Sequence, residues 1–393
     1  MTTEIKIGLF GFGCVGQGLY DVLTESSGFK AEIVKIGVKD RAKKRKLPAS
    51  IFTFDKEEIL GNAEINLVVE LIDDAEEAYN IVKSALISGK NVVTANKKML
   101  ANNLEELVAL QKKHNVSLLY EASSCGSIPI IRNLEEYYDN EQLNSVSGIF
   151  NGTSNYILSK IFSENSDYIT ALKQAQEKGF AETDPTSDVG GFDTKYKLII
   201  VAAHSYGLHI KPEDVLNIGI QNISTYDIQF AKEKGYKIKL VATGKKVNNS
   251  EVTLFVIPQF VNNSHYLYNV ENEYNGVIVE AFFSDKQFFL GKGAGGHPTG
   301  SAVLSDISTA KYGYQYEYKK QQQSRHFTYT KDYILKVYFR YTDEETVKQM
   351  GFTSIEERYN GKEYNYVIGY INLASIIKNK AILESNDNSI IAL

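Results

Sequence analysis

Residues 5–19 read IKIGLFGFGCVGQGL, and this stretch decides the fold of the first part of the chain. A short apolar strand is followed by glycines in a G-x-G-x-x-G spacing and then by a helical pattern. Gly11 allows a tight turn, Gly13 lets a pyrophosphate approach the backbone, and Gly16 lets the helix pack on the strand. The amides of the helix N-terminus then face the phosphates. The stretch predicts a dinucleotide site formed by Gly11, Gly13, Cys14, Val15 and Gly16.

Downstream of this loop, short apolar strands alternate with amphipathic helices. The strands are expected at 32–38, 65–72, 91–94 and 117–121, and the helices at 76–88 and 104–114. This alternation is typical of a Rossmann-type doubly wound parallel sheet, which we expect to occupy residues 1–130. Lys97 directly follows one of these strands, where a side chain points into the ligand crevice. The alternative for Lys97 is an ordinary solvated loop lysine.

The residues at the end of the second strand should determine whether NAD or NADP binds. An acid there would hold the ribose hydroxyls of NAD, whereas basic groups bind a 2′-phosphate. Asp40 is present, but Lys39, Arg41 and Arg45 lie among the six basic residues around it. We therefore expect NADP, with Lys39 and Arg41 as contacts and NAD as the alternative. A solvated basic loop is a further interpretation of the same residues.

Residues 182–204 read ETDPTSDVGGFDTKYKLIIVAAH and combine an acidic loop with an apolar helix. A helix that is apolar on nearly every face is a buried one. Asp193 and Lys197 nevertheless share one face of it, four residues apart. Charges seldom lie on buried helices unless they are paired. With Glu182 and Asp188 upstream, the stretch indicates a polar site, and the alternative is an ordinary salt bridge beside a solvated acidic loop.

The remainder of the chain predicts two further folded parts. Residues 131–311 are expected to form an α+β domain with a mixed sheet, whose end packs back on the first domain. Within it, the glycine-dense run 291–300 precedes a helix and offers backbone amides to phosphate or nicotinamide. Residues 312–329 are polar and suggest a linker. Residues 330–393 suggest a separate unit in the order βαββαβ.

Composition excludes several classes of function. The chain has 393 residues and a formal net charge of −5, which gives no electrostatic reason to expect nucleic acid or an anionic membrane as a partner. We find no apolar run near ~18 residues and no signal-peptide pattern, so no membrane span is expected. Two cysteines make neither a disulfide framework nor a metal cluster. A cytoplasmic protein is the expectation.

Taken together, the motifs closely resemble those of homoserine dehydrogenases. The matching segments run in family order over most of the chain: GFGCVG from 11, VVTANKKMLA from 92, EASSCGSIPII from 121, GIFNGTSNYIL from 148, FAETDPTSDVGGFDTKYK from 180, GYKIKL from 235 and GAGGHPTGSAVLSDI from 293. The family interconverts L-homoserine and L-aspartate 4-semialdehyde with NAD(P)(H), on the route to threonine and methionine. The resemblance also implies that residues 131–311 are the substrate-binding and dimerisation domain, and that the protein is a homodimer or higher homo-oligomer.

The resemblance implies roles for particular residues. Lys197 corresponds to the lysine that exchanges a proton with the substrate oxygen, and Lys97 to an active-site lysine near nicotinamide and substrate. The residues implied to bind substrate are Glu182, Asp188 and Asp193, the last also as part of the catalytic set. The further residues implied to contact the cofactor are Thr94, Gly179 and Gly295. The implied sodium site, made mostly of backbone carbonyls, comprises Glu121, Ser124, Gly126 and Ile128.

The chain also departs from the family pattern. Asp73 and Asp74 replace a Gly-Gly after the third expected strand, where two acids would repel a pyrophosphate. The tail occupies the place of an ACT regulatory domain but lacks its Asp-x-Pro-Gly turn, so we expect a degenerate ACT-like unit. Two other classes stay open. One is an NADP-linked dehydrogenase of another amino or hydroxy acid. The other is a nucleotide-sensing regulator built on a retired enzyme.

Overall fold

The structure is a computed structural model that describes residues 4–164, 166–323, 326–385 and 387–393. The chain divides into two compact units. The first unit comprises Met1–Asp139 and Lys292–Lys319, and the second comprises Asn140–Gly291 and Lys320–Leu393.

Strands and short or long helices alternate along most of the described chain. The strands are β1 (Lys6–Phe10), β2 (Glu32–Gly37), β3 (Phe52–Thr53), β4 (Leu67–Glu70), β5 (Asn91–Thr94), β6 (Leu118–Leu119), β7 (Leu143–Ile149), β8 (Leu216–Asn217), β9 (Lys237–Lys246), β10 (Glu251–Val261), β11 (Tyr274–Ala281), β12 (Asp285–Lys292), β13 (Thr328–Tyr329), β14 (Ile334–Tyr341), β15 (Ser354–Asn360), β16 (Asn365–Asn372) and β17 (Ser389–Ala392). The α-helices are α1 (Cys14–Glu25), α2 (Glu57–Leu60), α3 (Ala75–Ile87), α4 (Lys97–His114), α5 (Ile130–Arg132), α6 (Gly152–Glu164), α7 (Tyr168–Glu177), α8 (Thr186–Val189), α9 (Phe192–Tyr206), α10 (Thr225–Glu233), α11 (Gly296–Ala310), α12 (Lys319–Gln322), α13 (Glu344–Met350) and α14 (Leu373–Lys378).

The first unit is built on a six-stranded parallel sheet in the order β3-β2-β1-β4-β5-β6. Its central strands are apolar because helices cover both faces, and Ile7, Leu9, Val68 and Val92 are fully buried. The order reverses at β1, so the crevice at the carboxyl ends of the strands opens beside the glycine loop. The predicted doubly wound sheet is confirmed.

Residues after β12 return to the first unit. Helix α11 packs so closely on α1 that a Cβ at Gly18 would lie 2.2 Å from Gly296. The chain that follows α11 was expected to be a polar linker, yet Tyr316 and Tyr318 are fully buried. The Tyr318 hydroxyl shares a 2.7 Å hydrogen bond with that of Tyr120. The boundary between the units falls within the expected linker, after Lys319, but its first residues are packed rather than solvated.

The second unit is built on a mixed sheet that extends through the tail. Its path is β12-β11-β7-β9-β10-β17-β14-β16-β15, and β8 and β13 also pair with β10. Strands β9 and β10 form a long antiparallel pair, with Lys237 opposite Val261 and Lys246 opposite Val252. Helix α9 is buried along almost its whole length. The expected mixed sheet is confirmed.

The tail has the order β14-α13-β15-β16-α14-β17, which is the βαββαβ order expected from the pattern. Its sheet is typical of ferredoxin-like units, and an ACT-like character stays a prediction. The tail is not a separate unit, because β17 pairs with both β10 and β14. One apolar core also joins Phe339 and Val367 of the tail to Phe255 and Ile257 of β10.

Within the described ranges, no helix combines the length and the apolar character that crossing a bilayer requires.

Candidate active site

The glycine loop between β1 and α1 is held between the ends of two neighbouring strands. The amide of Gly11 donates to the Gly37 carbonyl at the end of β2, 3.0 Å away. A Cβ at Gly11 would lie 2.5 Å from the Leu71 carbonyl oxygen after β4, and the residue has φ +93°, so only glycine fits here. A Cβ at Gly16 would lie 2.4 Å from the carbonyl oxygen of Gly11, as the predicted close helix packing requires.

The same loop is open where a phosphate would approach. Gly13 is exposed, and nothing lies within 4 Å of the position of its Cβ. As N-cap of α1, it provides no side-chain hydrogen bond to the first turn. Uncapped amides and the positive end of the helix dipole suit an anion. The residues present therefore fit the pyrophosphate of a dinucleotide.

A second glycine loop lies beside the first. Gly295 has φ +122° and is the N-cap of α11. A Cβ on the next residue, Gly296, would lie 2.9 Å from the carbonyl oxygen of Cys14. Cys14 itself is an exposed free thiol at the start of α1. Two segments about 280 residues apart in sequence, both predicted to contact the cofactor, thus meet at one end of the first unit.

Several side chains of the basic loop after β2 already interact with neighbouring protein groups. Arg45 donates to the carbonyls of Asp40 and Lys43, at 2.7 and 2.9 Å. The guanidinium of Arg41 lies over the Phe54 ring, 4.5 Å from its centroid. The ammonium of Lys39 forms an ion pair with Asp74, at 3.5 Å. The two predicted contacts, Lys39 and Arg41, remain exposed at the end of β2.

Sequence reasoning missed a buried carboxyl at the end of β4, Glu70. Its Oε2 accepts a 2.5 Å hydrogen bond from the hydroxyl of Thr94, and its Oε1 accepts the amide of Ile72. The Thr94 hydroxyl in turn accepts the amide of Asn96, the N-cap of α4. Burial raises the pKa of Glu70 to about 7, against the hydrogen bonds from Thr94 and Ile72, which lower it. The network joins two strand ends and fixes the turn before Lys97, which is half-buried as the first residue of α4.

The expected sodium loop folds as a tight turn. Cys125 and Gly126 both have positive φ, 56° and 59°. Glu121 is buried, and its two oxygens accept the amides of Ile131 and Arg132. Burial raises the pKa of Glu121 to about 8, with a further increase from Asp306.

Two other residues of this loop were predicted to bind the ion. The carbonyl of Ile128 accepts the amide of Ile130 at 2.8 Å. Among the described residues, the buried hydroxyl of Ser124 has no hydrogen-bond partner, so it is the oxygen that an ion would satisfy.

Helix α9 carries the charged cluster predicted from its sequence. Gly191 and Gly207 bound the helix with positive φ of 77° and 69°, and Asp193 lies in its first turn. The Nζ of Lys197 lies 2.8 Å from Oδ2 of Asp193, and both side chains are buried. It also donates to the Phe150 carbonyl at 2.8 Å. Lys195 is equally buried, but its ammonium lies over the Phe192 ring, and burial lowers its pKa to about 8.

A second residue that sequence reasoning missed, Asn151, connects the acids. Its amide nitrogen donates to Asp188 at 2.7 Å and to Asp193 at 2.9 Å. Its Oδ1 accepts the amide of Ser154 and so orients the side chain at the start of α6. The available signal was its place in the GIFNGTSNYIL segment, to which no role had been attached. The structure thus brings Asp188, Asp193 and Lys197 together through a carboxamide.

The structure does not bring every predicted residue of this unit into the cluster. Glu182 is exposed, and its backbone carbonyl accepts a hydrogen bond from the side chain of Gln176 at 3.0 Å. Gly179 ends α7 with φ +73° and also lies in the second unit. Among the described residues, no hydrogen bond or ion pair joins the Glu182 carboxylate to Lys197.

Comparison with known proteins identifies the family. The model of the homoserine dehydrogenase NAD binding domain matches residues 11–121, and the homoserine dehydrogenase model matches residues 129–308. A homoserine dehydrogenase of Bacillus subtilis (strain 168) is 38% identical over 312 residues, covering 77% of this chain and 72% of the relative.

Two solved structures are similar to this chain over all or most of its length. The homoserine dehydrogenase of Thiobacillus denitrificans superposes with a TM-score of 0.87 at 27% identity, covering 100% of this chain and 98% of the other. A hyperthermophilic archaeal homoserine dehydrogenase in complex with NADPH superposes with a TM-score of 0.69 at 26% identity, covering 80% and 99%. With a glycine loop open to a dinucleotide and a buried acid–lysine cluster in the matched segments, the chain belongs to the homoserine dehydrogenase family.

Proposed function

We propose that the chain interconverts L-homoserine and L-aspartate 4-semialdehyde with NADP(H), with Lys197 as the group that gives a proton to, or takes one from, the substrate oxygen. The observation that supports this most is the buried Lys197–Asp193 pair, bridged by Asn151 to Asp188. Buried charges of this kind are rare unless they serve a purpose that repays their desolvation.

The charge of the cluster suits an amino-acid substrate. Asp188 and Asp193 carry two negative charges against the one positive charge of Lys197, so the cluster has a net charge of −1. A substrate ammonium group balances it, and a charge-assisted hydrogen bond to either carboxylate would orient the substrate. We assign Asp188 and Asp193 this role, and we assign Glu182 the same role from the exposed loop.

Lys197 has the donors that the proton step needs. An ammonium group has three N–H donors, and in the described chain two of them are directed at Asp193 and at the Phe150 carbonyl. The third is available to the substrate oxygen. In the reducing direction Lys197 gives its proton to the aldehyde oxygen, and in the oxidising direction the neutral amine takes it from the alcohol. When bound, the nicotinamide accepts a hydride from homoserine or returns it to the aldehyde carbon.

The residues proposed to hold the cofactor lie mainly in the first unit. The amides of the first turn of α1, from Cys14 to Gly16, would bind the pyrophosphate, and Thr94, Lys97 and Gly295 would line the rest of the site in the first unit. Gly179 is proposed as a cofactor contact from the family resemblance alone. For NADP over NAD, the support is the basic loop with Lys39 and Arg41, together with the archaeal relative bound to NADPH.

Three further properties belong to the proposal. A sodium ion would be held at the loop of Glu121, Ser124, Gly126 and Ile128, for which the support is the orphaned hydroxyl of Ser124. A homodimer would form through the middle sheet, whose edge strand β12 and preceding turn expose Phe282, Phe283 and Leu290. A cytoplasmic location is supported by the two free cysteines.

The test is homoserine oxidation by the purified chain, followed at the nicotinamide absorbance with NAD and NADP in parallel. A panel of other amino and hydroxy acids should give much slower turnover. Lys197→Met should lower kcat by about 10²–10⁴-fold, the range for loss of a general acid–base. Lys195→Met is the matched control, since it removes an equally buried lysine from the same helix and should leave kcat within about threefold. Near wild-type turnover by Lys197→Met would refute the role of that lysine.

A further inference from the structure

An ion pair crosses the end of the strand that carries the glycine loop. Strand β1 lies between β2 and β4 in the sheet. Lys39 follows β2, Asp74 follows β4, and their charged atoms lie 3.5 Å apart. The glycine loop is held between the same two strand ends, by Gly37 and Leu71. The pair therefore lies beside the predicted cofactor site, in the first unit.

Asp74 is fixed in place by the backbone. As the N-cap of α3, its Oδ1 accepts the amides of Glu76 and Glu77, each at 3.1 Å, while its Oδ2 faces Lys39. The hydrogen bond from Glu77 and the charge of Lys39 lower the pKa of this carboxyl, so it is ionised at neutral pH. Its side chain is 52% exposed and that of Lys39 is 74% exposed. Both groups are therefore accessible to a ligand.

The neighbouring basic groups are directed elsewhere. Arg45 is bound to carbonyls of its own loop, and Arg41 lies over Phe54. Lys39 is the basic residue that comes first after β2, the place from which doubly wound folds recognise the 2′-position of the adenosine ribose. A 2′-phosphate must therefore compete with a fixed carboxylate for the Lys39 ammonium.

We propose that Asp74 is a cofactor-selectivity residue, which weakens the binding of NADP(H) relative to NAD(H) by holding Lys39 in an ion pair. The inference rests on the proposed cofactor site at the glycine loop. With NAD(H) the ion pair stays closed, because the uncharged ribose hydroxyl does not draw the Lys39 ammonium away from Asp74. With NADP(H) the pair opens so that Lys39 can face the phosphate, and the Asp74 carboxylate also repels that phosphate.

The size of the effect follows from Coulomb's law. A phosphate with about −1.5 to −2 charge, some ~7 Å from a carboxylate in a water-like dielectric, is repelled enough to change its affinity by about three- to tenfold. Salt reduces the repulsion, since the Debye length is about 10 Å at 0.1 M. Asp74→Asn isolates the charge, because asparagine caps a helix as well as aspartate does.

The experiment measures equilibrium dissociation constants of NADPH and NADH by titration of nicotinamide fluorescence, without turnover. Asp74→Asn should lower the Kd of NADPH about three- to tenfold and leave that of NADH within about twofold. Glu76→Gln is the matched control: it removes a charge from the same first turn of α3, its side chain is exposed, and it should change the NADPH:NADH ratio by less than about twofold.

A double-mutant comparison tests whether Asp74 acts on NADPH binding through Lys39. Lys39→Met should weaken NADPH alone, and in that background Asp74→Asn should change the Kd of NADPH less than in the wild type, because the ion pair is gone and only the direct repulsion remains. An unchanged NADPH:NADH ratio in Asp74→Asn, or an equal change in Glu76→Gln, would overturn the inference while both nucleotides still bind. Failure of the wild type to bind either nucleotide would instead refute the proposed cofactor site, and the inference with it.

Discussion

Removing the carboxamide of Asn151 should lower kcat/KM for homoserine by more than a loss of folding stability alone would cause. The Asn151→Ala variant loses two hydrogen bonds to carboxylates, at 2.7 and 2.9 Å from Asp188 and Asp193. A hydrogen bond to a charged group contributes about 1.5–3 kcal/mol, and its loss at the substrate-binding acids corresponds to about 10- to 150-fold in kcat/KM. The two carboxylates also face each other without the bridging amide, so the acid limb of the pH profile should move to higher pH.

The control for Asn151→Ala is Asn155→Ala, in helix α6, which begins directly after Asn151. Asn155 is equally buried, but its amide donates to the carbonyls of Val270, Asn272 and Tyr274 rather than to an acid. Both variants should lower the midpoint of thermal unfolding. Only Asn151→Ala should lower kcat/KM for homoserine and shift its pH profile, measured by initial rates at the nicotinamide absorbance. If the two variants give the same kcat/KM and the same profile, Asn151 is merely structural and the reasoning is refuted.

Three other changes follow from the same structure. Glu70→Gln removes a buried carboxyl whose pKa, about 7, lies above its usual value. Because this pKa is raised, the folded wild type loses stability as pH rises from about 4.5 to about 7, so the variant should gain up to about 3 kcal/mol of unfolding free energy relative to wild type across this range in urea titrations. An equal difference between variant and wild type at pH 5 and pH 8 would contradict this expectation. Glu182→Gln should raise the KM for homoserine with the Kd of NADPH unchanged, and an unaltered KM would exclude its ammonium contact. Arg340→Met breaks the buried ion pair with Asp227 and should lower the free energy of unfolding by about 3–5 kcal/mol. Arg358→Met breaks an exposed ion pair with Glu344 and should lower it by less than about 1 kcal/mol. Equal losses in the two variants would argue against burial as the cause of the difference.

The parts of the fold that depend on local pattern could be predicted from the sequence. The strands of the first sheet are apolar because both faces are covered, and that requirement is visible within each short run. Helix α9 follows from an unbroken apolar run between two glycines and an acid in its first turn. Strand β15 was expected only as a member of the βαββαβ order, and its bounds could not be predicted, since all of its residues are exposed and it has no apolar alternation.

The contacts that organise the site could not be predicted in the same way. Glu70 stands in the expected strand 65–72, but its partner Thr94 lies 24 residues later on the neighbouring strand. Asn151 precedes its acidic partners by 37 and 42 residues. Each pairing is set by register and helix packing over a long separation in sequence. The prediction of a solvated linker at Tyr316 and Tyr318 was wrong for another reason. The polar composition of the segment suggested a linker, whereas the tyrosine rings bury apolar surface.

The structure also changes the meaning of the two acids after β4. In the sequence, Asp73 and Asp74 suggested repulsion of a pyrophosphate, a departure that is compatible with a regulator built on a retired enzyme. In the structure, Asp74 caps α3 and pairs with Lys39, so its charge is largely balanced and it has a reason to be retained. A retired site gains little by retaining the buried charges of Asp193 and Lys197, because each costs several kcal/mol to desolvate and their mutual attraction at best roughly offsets that cost. The departure from the family pattern therefore argues for an adjusted cofactor site rather than for a lost one.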